Sequence, residues 1–269
     1  MKSVLSLFVA SFFVIAGTAN ATPLNGGFET GDLTGWQILG DASVQTSSFG
    51  SGPTQGLYQA VLTNDWLAPL QSAQPPNSSF VTPLSGSHAA LPSLLDPFLG
   101  LPSGSLQAIT VGHNGVDVGF VHPGSAIAQT FSGAAGSLLS FNYNFLTSDG
   151  YNYDHSFVSL ASSSLLFLEK LAGNDPSTLP GGTNYPPPLV ASNTVFKNET
   201  GFKTFSFILP DTGTYTLGIG VVQVDDDIRD AGIIIDDVKV GSVPEPSSLL
   251  LLAVGLTGLF WWRRKQLAP

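Results

Sequence analysis

Residues 203–221 read KTFSFILPDTGTYTLGIGV, and this stretch decides the fold class. Apolar side chains alternate with polar ones on both sides of the turn-forming sequence Pro-Asp-Thr-Gly at 210–213. A period of two is typical of a β-strand that has one face against a core. The stretch therefore predicts two strands joined as a hairpin. The side chains predicted to face inward are Phe205, Phe207, Leu209, Tyr215, Leu217, Ile219 and Val221.

The same alternation recurs along the chain. Residues 137–146 place Leu139, Phe141, Tyr143 and Phe145 on one face, which predicts a half-buried strand. Eight or more such strands, joined by turns rich in Gly and Pro, predict an all-β fold, an antiparallel two-sheet β-sandwich of jelly-roll type. Further strands are predicted at Trp36–Thr46, Leu57–Leu62, Ser125–Phe131, His155–Leu168 and Gly232–Val240.

Two stretches do not follow this period. Residues 64–105 and 172–193 are rich in Pro, Ser and Gly, and no long stretch of helical period interrupts the strands. These stretches predict long surface loops, and loops are where a sandwich usually meets its ligands. Decorative insertions are the alternative.

The N-terminal residues 1–21 have the pattern of a signal peptide. Lys2 precedes an apolar run from Val4 to Ile15, and Ala19-Asn20-Ala21 forms a small-x-small cleavage site. We expect the mature chain to begin at Thr22, outside the cytoplasm, and residues 22–241 to form one β-sandwich domain. The alternative is an uncleaved N-terminal anchor.

The C-terminal residues 242–269 combine a Pro-Glu-Pro triplet, an apolar stretch and three cations. A helix from Pro246 to Trp262 would rise about 26 Å, close to the roughly 30 Å of a bilayer's hydrocarbon core. Arg263, Arg264 and Lys265 would resist translocation and remain cytoplasmic. The stretch predicts a single transmembrane helix with a stop-transfer signal.

This order of features resembles the PEP-CTERM sorting signal of Gram-negative bacteria, with Val243, Pro244, Glu245 and Pro246 as its motif. The resemblance implies that a membrane-embedded exosortase processes the tail. It also implies export to the cell surface or extracellular matrix of a Gram-negative bacterium. A permanent single-span anchor is the alternative.

Charge narrows the choice of partners. Four of the nine Lys and Arg and one of the 19 Asp and Glu lie in the end segments, so residues 22–241 hold five cations, 18 acids and a net charge of −13. Nucleic acid is excluded as a partner because phosphate binding needs clustered cations. The absence of cysteine excludes disulfides and thiolate chemistry, whereas Ca²⁺ suits the acidic surface.

The two ends of the predicted domain resemble those of jelly-roll carbohydrate-binding modules. LNGGFETGDLTGW at 24–36 is similar to the first strand and turn of such modules, and AGIIIDDVKV at 231–240 to their last strand. The resemblance implies that these strands lie side by side and hold a structural Ca²⁺ through Glu29, Asp236 and a carbonyl of Gly26-Gly27. A solvated turn residue and a strand-end group are the alternatives.

An acidic loop precedes the last strand. VDDDIRDAG at 224–232 has four aspartates within six residues, but it lacks the glycine and glutamate of an EF-hand. Asp227 and Asp230 are the metal-ligand candidates in this loop. The alternative is a solvated acidic loop with Arg229 as counter-charge.

Aromatic side chains in the loops are candidates for stacking on sugars. Trp66 lies in a Pro-bounded loop, and Tyr151 and Tyr153 follow the turn pair Asp149-Gly150. Aromatic side chains packed beneath a loop are the alternative.

The sequence offers no catalytic motif, since its four histidines are dispersed and no Gly-x-Ser-x-Gly elbow occurs. We therefore expect a non-catalytic protein. The resemblance of its end motifs to carbohydrate-binding modules, together with the long polar loops and their aromatic residues, implies that it associates with extracellular polysaccharide. A Ca²⁺-dependent structural or adhesion protein and a polysaccharide-active hydrolase are the alternatives.

Overall fold

The computed structural model describes residues 23–65, 83–110, 119–148, 154–173, 189–225 and 230–242. Two antiparallel sheets lie face to face, which confirms the predicted all-β sandwich. The five-strand sheet has the order β1 (Gln37–Leu39), β4 (Val121–Gly133), β11 (Gly213–Val224), β6 (His155–Ala161), β7 (Leu166–Gly173). The seven-strand sheet has the order β2 (Asp41–Gln45), β3 (Gln59–Thr63), β12 (Ala231–Ser242), β5 (Ser137–Thr147), β9 (Asn198–Glu199), β8 (Val190–Ala191), with β10 (Lys203–Ile208) also pairing with β5.

The main core lies between the two sheets. Alternate residues of facing strands fill it, as the period of two requires. Phe141 and Phe205 pack with ring centroids 5.0 Å apart, and Phe131 stacks on Tyr215 at 5.8 Å. The inward positions predicted for 137–146 and 203–221 all lie in or against this core.

The predicted hairpin at 203–221 is wrong. β10 pairs with β5 in the seven-strand sheet, whereas β11 pairs with β4 and β6 in the five-strand sheet. The turn at 210–213 therefore carries the chain from one sheet to the other. Alternation reports which face of a strand is apolar, and both strands do face the same core, but it does not report which strand is the neighbour.

Strand β5 is buried on both faces and not on one. Its outward residue Asn144 is fully buried, and Leu146 packs with Phe196, Val61 and Ile234 in a second apolar cluster. The loop after β2, which starts with a 3₁₀ turn at Ser47–Phe49, contributes to this cover. Around Asn144 and Leu146, the outer face of the seven-strand sheet is thus covered by the protein's own loops.

Two short helices cover part of the outer face of the five-strand sheet. They are α1 (Pro92–Phe98) and α2 (Ser105–Ala108), both within or at the end of the stretch predicted as loop. Leu95, Leu99 and Leu106 pack there on Phe157 and its neighbours. Seven residues with Pro at the first position and another inside show too little helical period to predict.

The sandwich has two distinct ends. At the end that we call the loop-bearing end, Thr147 pairs with Ala231 and Val121 with Val224. At the opposite end, called the tail end, Ser137 pairs with Ser242, the last described residue. The predicted signal peptide, sorting motif, helix and stop-transfer cations lie outside the described residues, and within the described ranges no helix is long and apolar enough to span a bilayer.

Candidate functional site

Glu29 and Asp236, the predicted Ca²⁺ ligands, hold the same short loop at 54–58. Asp236 Oδ2 accepts hydrogen bonds from the backbone N–H of Thr54 (2.7 Å) and Gln55 (2.9 Å) and from the Thr54 hydroxyl (2.7 Å). Glu29 Oε1 accepts from the N–H groups of Leu57 (3.0 Å) and Tyr58 (3.1 Å). The fold therefore brings two carboxylates 207 positions apart in sequence to one loop.

Asp236 is a buried acidic residue without a cationic partner in the described part of the chain. Its side chain is fully buried, and no Lys or Arg of the described part forms an ion pair with it. Burial raises the pKa of its carboxyl, and hydrogen bonds from Thr54, Gln55 and Asp237 oppose that rise. Carboxylate oxygens are hard ligands of the kind that Ca²⁺ prefers, but those of Asp236 already accept hydrogen bonds from Thr54, Gln55 and Asp237, so an ion would use a remaining acceptor position or displace one of these donors.

The N-terminal segment lies directly on the last strand. Gly26 O accepts a hydrogen bond from Val238 N (2.9 Å), and a Cβ on Gly26 would lie 1.9 Å from Val238 O. Residues 24–36 form turns, whereas a first strand was expected there. The expected neighbourhood of the two motifs thus arises through a turn segment, because Asn25 and Phe28 adopt positive φ and bend the chain.

Asp230 and Asp236, one from each group of predicted metal ligands, lie far apart along the chain. Asp230 is 1% exposed and directly precedes β12, and its carbonyl accepts a hydrogen bond from Ser148 N. Six residues along the strand, or about 20 Å, separate Asp230 from Asp236, so the two cannot share one ion. Asp227 lies outside the described residues. No group of three or more His, Asp or Glu that could hold a metal occurs in the part of the chain that the structure describes.

A buried polar network closes the loop-bearing end. Asn64 exchanges hydrogen bonds with Ala231, through its own N–H (3.0 Å) and its Oδ1 (2.7 Å). Its Nδ2 also donates to Asp154 Oδ2 (3.2 Å), and Asp154 Oδ1 accepts from Val224 N (2.9 Å). Asn64 and Asp154 are fully buried. Three strand ends and the turn after β3 are therefore joined by two side chains.

The predicted sugar-stacking residues adjoin this network in sequence. Trp66, Tyr151 and Tyr153 lie outside the described residues, but Asp65 precedes Trp66 and Asp154 follows Tyr153. The described residues flanking segments 66–82 and 149–153 therefore meet at the loop-bearing end. Trp36 is excluded from this role, because it is buried and packs on Phe28 with ring centroids 5.7 Å apart.

Asp65 and His88 form a pair that the sequence did not predict. His88 Nδ1 lies 3.1 Å from Asp65 Oδ2, and Ala89 N donates to Asp65 O at 2.7 Å. Burial raises the pKa of the Asp65 carboxyl, the hydrogen bond from His88 opposes the rise, and the nearby Asp41 charge adds to it. The two residues are 23 positions apart, and the sequence carries no local signal for their contact.

Comparison with solved structures returns sandwiches of carbohydrate-binding modules and adhesin domains. The chain is similar to the carbohydrate-binding module TmCBM61 in complex with β-1,4-galactotriose (13% identity, 83% of this chain and 99% of that chain, TM-score 0.41). It is also similar to the K1 cleaved adhesin domain of Lys-gingipain from Porphyromonas gingivalis W83 (9%, 84% and 100%, 0.39). A third similar structure is CBM28, a module specific for non-crystalline cellulose (9%, 82% and 95%, 0.36).

The comparison with curated proteins finds no match. Among protein families, residues 242–265 match the PEP-CTERM protein-sorting motif. This match covers the triplet, the apolar stretch and the three cations, and it starts at the residue where the described part of β12 ends. The chain therefore carries a PEP-CTERM protein-sorting motif directly after the last strand of its sandwich, and the motif indicates an exported protein that is sorted to the cell surface.

Proposed function

We propose that the protein is a non-catalytic, glycan-binding protein of the cell surface or extracellular matrix. It binds extracellular polysaccharide at the loop-bearing end. One observation supports this most strongly: the residues flanking the segments with Trp66, Tyr151 and Tyr153 meet in the buried network of Asn64 and Asp154. Binding residues are commonly carried by segments that a rigid scaffold holds in position.

The chemistry of the chain suits a neutral, hydroxyl-rich ligand. Charged residues make up only 10% of the chain, and aromatic rings can stack on the C–H faces of sugars. The net negative charge of the domain disfavours polyanionic partners. The tail leaves from the opposite end, so a sandwich attached through its C-terminus would present the loop-bearing end outward.

A glycan panel tests the proposal with the full-length protein. Trp66→Ala and Tyr151→Ala should each weaken binding by about tenfold or more, as the loss of a stacking ring predicts. Ile208→Ala is the matched control, because Ile208 is exposed at the tail end, opposite Leu138 of β5. Binding that none of the variants changes, or no binding at all, would favour a structural or adhesion role.

We propose in addition that Glu29 and Asp236 hold a structural Ca²⁺. The buried charge of Asp236 and the convergence of both carboxylates on loop 54–58 support this. Bound Ca²⁺ would neutralise these carboxylates and fix the N-terminal segment to β12. Chelation should lower the melting temperature of the wild-type protein, and Glu29→Ala should abolish that sensitivity; equal melting with and without chelator would exclude the ion.

We also propose that an exosortase removes the tail near Pro244–Pro246 and that the helix from Pro246 to Trp262 spans the membrane until then, with Arg263, Arg264 and Lys265 on the cytoplasmic side. The match of residues 242–265 to the sorting motif supports processing. Intact-mass spectrometry of the protein from producing cells should find a C-terminus between Pro244 and Pro246. A mature chain that retains Arg263 and Arg264 would instead indicate a permanent anchor.

A further inference from the structure

A small cavity lies between α1, α2 and the start of β4. Its volume is about 150 Å³, and it is open to solvent on one side. An apolar cavity of that volume in another protein admits one benzene molecule, so the space suits one six-membered ring. The same volume of liquid water contains about five molecules.

The lining of this cavity has an apolar part and a polar part. Pro92, Leu106 and Val121 supply carbon surface, and Ser93 and Ser103 add hydroxyl groups on the side of α1 and of the turn before α2. A purely apolar ring would leave the polar part without partners. A pyranose ring offers C–H groups to the first part and hydroxyl groups to the second.

Asp96 gives the cavity a fixed hydrogen-bond acceptor. The residue is 6% exposed, and its carboxylate accepts from Gly104 N (2.6 Å) and Leu106 N (3.1 Å). A carboxylate has about four acceptor positions, so these two hydrogen bonds leave about two for other donors, and Asp96 is one of the residues that line the cavity. Sugar hydroxyls are donors of the required kind, and hydrogen bonds to a charged acceptor are stronger than neutral ones.

The part of the lining that Gln107 forms is held in place by hydrogen bonds within the protein. The Gln107 amide donates to Thr110 Oγ1 (3.0 Å) and Gly119 O (2.9 Å), and its Oε1 accepts from Val121 N (2.9 Å). A wall whose rotamer is fixed in this way loses little entropy on binding. The cavity also lies towards the loop-bearing end, because Val121 pairs with Val224.

We infer that this cavity binds one neutral pyranose residue of a glycan, with Asp96 accepting hydrogen bonds from its hydroxyls. Among the residues that the structure describes, no Lys or Arg lines the cavity, so a uronate or sulfated sugar would face the Asp96 carboxylate without a counter-charge from them. The inference rests on the proposed glycan function. It adds a second contact point, on the outer face of the five-strand sheet.

The test uses the full-length protein and four probes: β-1,4-galactotriose, cellotriose, maltotriose and trigalacturonate. Ser93→Phe and Ser103→Phe each place a ring in the cavity from an exposed position, so the fold should tolerate them. Leu94→Phe is the matched control, since Leu94 is the next residue of α1, is 52% exposed and does not line the cavity. Affinity is measured by calorimetry, and the side-chain NH₂ signals of Gln107 are followed by NMR.

We expect a neutral trisaccharide to shift the Gln107 NH₂ signals and its affinity to fall by about tenfold or more in both Ser variants but by less than about twofold in Leu94→Phe. If affinity is unchanged in both Ser variants but lost in Trp66→Ala, the protein binds glycan elsewhere. That result would overturn the inference that the cavity binds sugar and would keep the proposed glycan function. Equal or tighter binding of trigalacturonate in the cavity would overturn the inference of a neutral sugar. No binding of any glycan by the wild type would overturn both.

Discussion

Several loops of this cysteine-free protein are fixed by hydrogen bonds to a single buried carboxylate. Asp41 accepts hydrogen bonds from the backbone N–H groups of Leu84 and Ser85. Three further carboxylates accept hydrogen bonds from backbone N–H groups of a segment distant in sequence or of the next helix: those of Asp96, Asp154 and Asp236. All four residues are at least 94% buried. The excess of acids over cations therefore reflects in part carboxylates that pair with backbone amides.

Asp236→Asn should destabilise the protein by about 1–3 kcal/mol. In the wild type, Thr54 N donates to one carboxylate oxygen and Asp237 N to the other. Asparagine has only one acceptor oxygen, so its NH₂ group would face one of these N–H donors and that hydrogen bond would be lost. Chemical unfolding measures the loss, and faster hydrogen exchange at Thr54 and Gln55 should locate it. Asp237→Asn is the control, because the Asp237 side chain is partly exposed and pairs with Lys239; an equal loss in both variants would contradict the assignment.

The raised pKa of Asp65 predicts a dependence of stability on pH. Between its ordinary pKa and the raised folded pKa, the folded chain holds more protons than the unfolded chain, so the free energy of unfolding contributed by Asp65 rises as pH falls. The free energy of unfolding of the wild type minus that of Asp65→Asn should therefore increase as the pH falls from neutral to weakly acidic. Parallel curves for the two proteins would contradict this; His88 and Asp41 are the titratable groups that act on Asp65.

Gly26→Ala should cost roughly 1–3 kcal/mol of stability, or more, because its methyl group would lie 1.9 Å from the backbone oxygen of Val238. Gly27→Ala is a close control. Its methyl group would lie 2.0 Å from Gln55 Nε2, the end of an exposed and flexible side chain that can move away. The melting temperatures of both variants test this prediction. An equal loss of stability in Gly26→Ala and Gly27→Ala would show that the clash with the backbone of Val238 is unimportant.

At the scale of strands and helices, the sequence predicted which face of a strand is buried better than it predicted where strands end and which strands pair. Alternation located the core residues of β5, β10 and β11, but it treated residues 155–168 as one strand. The chain turns there at 162–165, where Ser162 N donates to Leu165 O (2.8 Å), and continues as β7. Apolar residues continue on both sides of that turn, so the period alone does not reveal it.

The candidate site was predictable only where a motif carried it. Glu29 and Asp236 came from the resemblance of the two end motifs to those of carbohydrate-binding modules, and they do hold one loop. Asn64 and Asp154 are 90 positions apart and gave no signal, because nothing local distinguishes a buried Asn or Asp from a turn residue. The cavity at Asp96 depends on two helices too short to predict.

For the whole molecule, the separation of the two ends predicts an effect of orientation. The chain has no cysteine, so one introduced thiol gives a single point of attachment. Protein tethered through Thr214→Cys, exposed near the tail end, should bind polysaccharide in the same way as free protein. Protein tethered through Phe120→Cys, 74% exposed near the loop-bearing end, should lose most of that binding. Surface plasmon resonance measures both, and equal capacity would contradict the assigned end.

The position of β12 also has a mechanical consequence. This strand lies between β3 and β5 and leads straight into the sorting motif. A force applied between a bound polymer at one end and the cell envelope at the other would run parallel to β12. Its flanking hydrogen bonds would then be loaded together in shear and not broken one after another, a geometry that favours a high rupture force.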